Sequence, residues 1–186
     1  MTTLAIVAML FTSCRKVDYQ SFIGTWGVEK IEYYNIDYAG NPIAASFETH
    51  IFDPNDVDNS IRLVFREDKT GVMYDSAIDT LWIEDEETGE YDYIYCPDTV
   101  MVYNFTCSYD RNDRVLYMNM DYGTYLKTFR MNIEDFTDNS FTYENEYKMD
   151  YMERAYLKRI SDTPLKSSSR QAVKHPHKPG SFLGGR

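Results

Sequence analysis

Apolar and polar residues alternate with a period of two along most of the chain between Thr25 and Ile160, and few segments have helical periodicity. The run Ile61 to Phe65 places large apolar residues at every second position, and the run Met101 to Cys107 does the same over seven residues. A period of two is typical of strands that bury one face. The pattern therefore predicts a succession of half-buried β-strands.

Short polar segments separate these runs. They include Asp68–Gly71, Asp110–Asp113 and Asp138–Asn139. In the first of these turns we expect Gly71 to adopt a positive φ angle, which glycine does at little cost. Consecutive strands joined by tight turns predict an all-β fold, an antiparallel up-and-down β-barrel of about eight to ten strands, with a sandwich as the alternative.

Four segments together resemble the lipocalin-like domains of small Gram-negative lipoproteins: IGTWGVEKIEYY, LVFREDKTG, MNIEDFTDNSFTY and YLKRI. The resemblance extends over residues 22–160. Its most specific element is Gly24-Thr25-Trp26, which matches the Gly-x-Trp at the first strand of lipocalins. The resemblance implies that Trp26 plugs one end of a lipocalin-like barrel and that Arg159, in the last strand, covers it. Gly24, Trp26 and Arg159 are thus predicted to be structural.

The first residues are predicted to be a secretory targeting signal. An apolar stretch from Leu4 to Phe11 is followed by two small residues and Cys14, and the sequence FTSC resembles the lipobox of bacterial lipoproteins. We therefore interpret residues 1–13 as a signal peptide and expect its true start upstream, because no basic residue precedes Leu4. Cys14 is the predicted lipidation site, with residues 14–23 as lipidated N-terminus and linker. A buried core strand is the alternative interpretation of the apolar run.

Charge is distributed unevenly. The formal net charge is −11, which argues against a nucleic-acid partner because phosphate binding needs a basic surface. All acidic residues lie at or before Asp162, and five basic residues follow it. We predict that residues 24–160 form the barrel and that residues 161–186 form a disordered basic tail.

The residues typical of catalysis or of metal binding are scarce. His50 is the only histidine in the predicted domain, and no phosphate loop, nucleophile elbow or paired-cysteine metal motif is present. The sequence therefore predicts a protein that is not an enzyme and needs no cofactor. Residues 53–60 and Glu67 resemble a calcium loop, but Ile61 occupies the position that requires glycine, so we favour a polar loop without metal. For Cys96 and Cys107 we favour two buried thiols over a disulfide.

Seven of the seventeen tyrosines are candidates to line a ligand cavity, because a tyrosine ring combines an apolar face with a polar hydroxyl. They are Tyr91, Tyr93, Tyr95, Tyr103, Tyr125, Tyr143 and Tyr147. The alternative is that these rings fill the barrel completely.

The leading functional hypothesis is a monomeric, lipid-anchored protein whose barrel binds a small apolar or amphipathic ligand. We expect it on the periplasmic face of the outer membrane, because Arg15 stands where some related lipoproteins have an acidic export signal. The cell surface is the alternative location. The competing hypothesis is a filled barrel that serves as a scaffold or interaction module for a protein or glycan partner.

Overall fold

The structure is a computed structural model. It describes residues 17–77, 80–84, 91–95, 100–123, 125–148, 150–163 and 172–173, and only the backbone of 80–84, 91–95, 147–148 and 172–173. The strands in these ranges are β1 (Gly24–Asn35), β2 (Glu48–Ile51), β3 (Ile61–Phe65), β4 (Thr70–Asp75), β5 (Thr80–Glu84), β6 (Tyr91–Tyr95), β7 (Val100–Asp110), β8 (Val115–Asp121), β9 (Leu126–Phe136), β10 (Ser140–Lys148), β11 (Tyr151–Ser161) and β12 (Ala172–Val173). Two 3-10 turns, Tyr19–Phe22 and Ala44–Ser46, precede β1 and β2.

Eight antiparallel strands form a closed barrel in the order β1, β3, β4, β7, β8, β9, β10 and β11. The barrel closes where β11 pairs with β1, with Trp26 opposite Arg159 and Tyr33 opposite Glu153. The predicted all-β antiparallel barrel is therefore confirmed, and its strand number and order are consistent with a lipocalin-like barrel. Closure leaves none of these eight strands as a free sheet edge.

Four strands lie outside the barrel wall. β2 pairs with the part of β1 that extends beyond β3. β5 and β6, which come between β4 and β7 in the chain, form a separate two-stranded sheet. β12 pairs in parallel with β7, where Ala172 is opposite Val100 and Val173 is opposite Met101. This short strand differs from the prediction of a tail disordered throughout, because its backbone pairs with the first residues of β7; residues 164–171 and 174–186 lie outside the described residues.

The barrel has two chemically different ends. We call the plugged end the one that contains the turns 66–69, 111–114 and 137–139. We call the far end the opposite one, which contains the described connecting residues 36–47, 52–60, 76–77, 122–123, 125 and 150. The core follows the alternation in the sequence: on β3, for example, Ile61, Leu63 and Phe65 all point inward and are buried.

Gly71 makes room for a neighbouring side chain and does not form the turn with a positive φ angle. In the turn before β4 it is Lys69 that has the positive φ angle, of 65°. Gly71 lies within β4, and a Cβ atom there would be 2.1 Å from the ring of Phe105 on β7. The prediction of a positive φ at Gly71 was wrong, because the position needs glycine to leave room for a neighbouring ring.

Candidate functional site

The plugged end is closed by the segment that precedes β1. Phe22 is completely buried, and the indole Nε1 of Trp26 donates a hydrogen bond to the Phe22 carbonyl at 2.6 Å. The Phe22 ring packs against four other aromatic rings, of Phe65, Tyr109, Phe136 and Phe141, with centroids 4.9–6.0 Å away. Residues 14–23 were predicted to be the lipidated N-terminus and linker, but Phe22 belongs to the core.

Arg159 holds this segment in place. Its guanidinium carbon lies 4.0 Å from the centroid of the Trp26 ring, which is cation–π geometry. The same guanidinium donates hydrogen bonds to the carbonyls of Ser21 and Ile23, each at 2.7 Å, and to the carbonyl of Asp138 at 2.6 Å. This arrangement ties β11, the turn before β10 and the segment before β1 together, so we assign a structural role to this end.

Gly24 makes the close approach at the start of β1 possible. Its φ angle is 125°, and an added Cβ atom would be 2.5 Å from the carbonyl oxygen of Ser161. Only glycine adopts this backbone conformation without strain.

The interior of the far end contains polar groups. Asp75 on β4, Asn145 on β10 and Glu153 on β11 all face inward and are buried, with Glu153 having no exposed surface. The hydroxyl of Tyr143 donates a hydrogen bond to Oε1 of Glu153 at 3.1 Å. Buried carboxylates are rare unless they serve a specific purpose, so these groups distinguish the far end from the aromatic plug.

Tyrosine rings surround this polar interior. Tyr122 stacks on Tyr125 with ring centroids 5.0 Å apart, and it contacts Tyr103 at 5.3 Å. Where β1 and β11 pair to close the barrel, the ring of Tyr33 on β1 stacks on the ring of Tyr151 on β11, with centroids 5.9 Å apart. Tyr103, Tyr125 and Tyr151 are only partly buried, so they are the accessible residues of this group, although the hydroxyl oxygen of Tyr125 is buried.

Burial and charge shift the pKa values of several groups here. Burial, followed by the charge of Asp75, raises the pKa of Tyr103 to about 12. Burial raises the pKa of Tyr122, and Glu153 adds to that effect. Burial lowers the pKa of Lys127, while the nearby Glu153 acts in the opposite direction. The far end therefore holds neutral tyrosine hydroxyls beside two carboxyl groups and a half-buried ammonium group.

Three of the seven candidate tyrosines, Tyr103, Tyr125 and Tyr143, belong to the buried core cluster or pack against it. Tyr91, Tyr93 and Tyr95 lie on β6, outside the barrel wall, where the register with β5 places them on one face with Trp82 opposite Tyr93. Their side chains, and that of Tyr147, lie outside the described residues. For all seven tyrosines a ligand-lining role stays a prediction.

Sequence analysis missed the interior carboxylates. Glu153 could have been recognised, because it alternates with Ala155, Leu157 and Arg159 on β11 and therefore shares their inward face. Asp75 ends β4 directly after an apolar run, so its direction depends on the register with β7.

The loop from Asp53 to Ser60 has the local structure expected for a polar loop. Oδ1 of Asp53 accepts a hydrogen bond from the Asn55 amide at 2.9 Å, and Oδ1 of Asp56 does the same for the Asp58 amide. Within the described residues, no group of three or more potential ligands is arranged to hold a metal ion.

Cys107 is a buried free thiol whose Sγ lies 3.3 Å from the Tyr19 hydroxyl. Cys14 and Cys96 lie outside the described residues, so the predictions of a lipidated Cys14 and a buried Cys96 thiol stay predictions. The described part of the chain contains no helix of the length and apolar character needed to span a bilayer.

No family model matches the chain, and a search of curated proteins finds no significant match. The resemblance to lipocalin-like lipoproteins therefore stays an expectation from the sequence. The function is inferred below from the barrel and its two ends.

Proposed function

We propose that this protein is a non-enzymatic, lipid-anchored barrel on the periplasmic face of the outer membrane that binds a small apolar or amphipathic molecule at its far end. The observation that supports ligand binding is the division of the interior. One end is filled by Phe22, Trp26 and the rings around them, whereas the other holds polar groups and half-buried tyrosines. A barrel of about eight strands has room for side chains and at most one small ligand.

The chemistry of the far end suits an amphipathic molecule. The partly exposed rings of Tyr103, Tyr125 and Tyr151 offer apolar surface beside the polar groups of the interior. The half-buried ammonium group of Lys127 lies 4.8 Å from the centroid of the Phe129 ring and near Glu153, and it supplies a positive charge to the polar end of the molecule. Ligand sites are typically apolar with a few polar groups that fix orientation.

Binding is tested with the fluorescent probe N-phenylnaphthylamine and a matched pair of tyrosine variants. Tyr125→Leu removes a far-end ring, whereas Tyr117→Leu removes a ring from the outer face of β8 as a control. We expect saturable binding by the wild type and about fivefold weaker binding by Tyr125→Leu only, the loss of about 1 kcal/mol of aromatic contact. Absence of saturable binding, or equal effects of the two variants, would contradict the proposal.

The lipid anchor is supported by the FTSC sequence and by the small number of residues that separate Cys14 from the first described residue, Val17, along the chain. It is tested by growing a Gram-negative host with labelled palmitate and comparing the wild type with Cys14→Ala. We expect label in the wild type and none in the variant. Equal label in both would show that Cys14 is not the acylated residue.

A scaffold function has one observation in its favour. Ile43, Phe47 and Ile51 are exposed apolar side chains in and before β2, which among the described strands pairs with β1 alone. A photo-crosslinking residue at Ile51, compared with one at the exposed Arg130 on β9, tests this alternative. A specific protein adduct at Ile51, together with no probe binding at the far end, would favour the scaffold.

A further inference from the structure

We propose that the barrel stands with its plugged end on the lipid surface, so that the far end and its tyrosines point away from the membrane. This inference rests on the lipid anchor proposed for Cys14. It adds the orientation of the protein and names the surface that faces the lipid headgroups.

The tether, residues 14–16, joins the barrel at the plugged end. Val17 and Tyr19 pack against the core, and the Tyr19 hydroxyl donates a hydrogen bond to the Arg66 carbonyl at 2.6 Å, in a turn of the plugged end. Phe22 is buried in the same end. Only three residue steps separate Cys14 from Val17, and an extended chain spans at most about 3.5 Å per residue. The acylated residue therefore lies within about 10 Å of the plugged end.

Charge is distributed differently between the two ends. The turns 66–69, 111–114 and 137–139 at the plugged end contain four basic and four acidic residues. The described connecting residues at the far end, 36–47, 52–60, 76–77, 122–123, 125 and 150, contain five acidic residues and no Lys or Arg. Anionic headgroups attract basic residues and repel acidic ones.

The short tether alone allows the barrel axis to stand perpendicular to the membrane (upright) or to lie parallel to it. The difference in charge between the two ends favours the upright orientation. A barrel on its side would bring the far-end carboxylates close to an anionic bilayer, whereas Arg15 and Lys16, next to the tether, are attracted to it. The upright orientation places the far end about 25–30 Å above the plugged end, from a strand of twelve residues tilted in the wall. A ligand would then enter from the aqueous side and not from the bilayer.

Energy transfer to a headgroup-labelled lipid tests the orientation. Fluorophores are attached to Asn112→Cys, in an exposed turn of the plugged end, or to Ala39→Cys, in an exposed connection of the far end. Both variants carry Cys96→Ser, and Cys107 is buried. The full chain is inserted through its acylated Cys14 into vesicles of phosphatidylethanolamine and phosphatidylglycerol. In a parallel sample, unacylated protein carries the fluorophore on a p-azidophenylalanine at position 112 or 39 and not on an introduced cysteine, so that a maleimide lipid couples to Cys14.

We expect transfer to be several-fold stronger from the label at Asn112 than from the label at Ala39. Replacing two far-end carboxylates, in Asp56→Lys with Asp58→Lys, should raise the transfer from Ala39. Equal transfer from the two labels, or stronger transfer from Ala39, would overturn the orientation. If cells do not acylate Cys14, the anchor proposal fails, while the coupled sample still decides how a barrel tethered at that residue stands.

Discussion

Trp26→Ala is the substitution that most directly tests the construction of the plugged end. The indole has no exposed surface, donates a hydrogen bond to the Phe22 carbonyl and lies under the guanidinium of Arg159. Truncation removes the ring and leaves both partners without their contact. It also leaves a cavity beside Phe136 and Phe141, whose rings pack against the indole.

The expected cost follows from these contacts. Replacing a buried large aromatic residue with alanine lowers the free energy of unfolding by about 3–5 kcal/mol. For a chain of 186 residues, this corresponds to a fall in melting temperature of about 6–20 °C. Trp26→Phe keeps an aromatic ring under Arg159 but loses the indole N–H, and we expect about 1–3 kcal/mol for the carbonyl that is left without this donor.

Urea unfolding followed by circular dichroism measures these differences. Circular dichroism is preferred to tryptophan fluorescence, because the variants at Trp26 keep only one of the two tryptophans. Tyr117→Ala, on the outer face of the barrel, is the control and should cost less than about 1 kcal/mol. The reasoning about the plugged end would be refuted if Trp26→Ala cost less than about 1 kcal/mol with an unchanged dependence on urea.

Three further predictions concern the wall and the interior. Gly71→Ala should lower the free energy of unfolding by more than about 1 kcal/mol, because the new Cβ collides with Phe105, and Phe105→Leu should recover part of the loss in the same urea assay. Burial and Asp75 raise the pKa of Tyr103 from 10.0 to about 12. The stability that this shift provides should be complete below pH 10 and decline as the pH rises from 10 towards 12, with a smaller decline in Tyr103→Phe; an equal decline would contradict it. Burial raises the pKa of the Cys107 thiol; in a variant lacking the other two cysteines, a disulfide reagent should label it only after urea is added, and rapid labelling of the native protein would show that it is exposed.

Local patterns in the sequence determined the elements of the barrel. The alternation of large apolar residues predicted β3, β7 and the inward faces of both, because a strand places every second side chain on the same side. The polar turn at Asp138 and Asn139 likewise predicted where β9 and β10 meet. These features depend only on residues close together in the chain.

The tertiary structure decided what is brought together from distant segments. Glu153 has an inward position that local alternation allows, but its hydrogen bond with Tyr143 requires the register between β10 and β11. The departure of β5 and β6 from the wall has no local signal, since their alternation resembles that of wall strands. Gly71 was interpreted as a turn residue because the sequence does not show that Phe105 lies over it.

The plugged end shows the same division. The Gly-x-Trp motif marked the first strand, and the resemblance to lipocalin-like domains implied a partner in Arg159, but the role of Phe22 came only from the packed structure. A segment of a few residues next to a predicted linker has no periodicity from which its burial can be inferred. Its ring enters the core because barrel closure brings the ends of β3, β7, β9 and β11 around one opening, and filling that opening removes apolar surface from water.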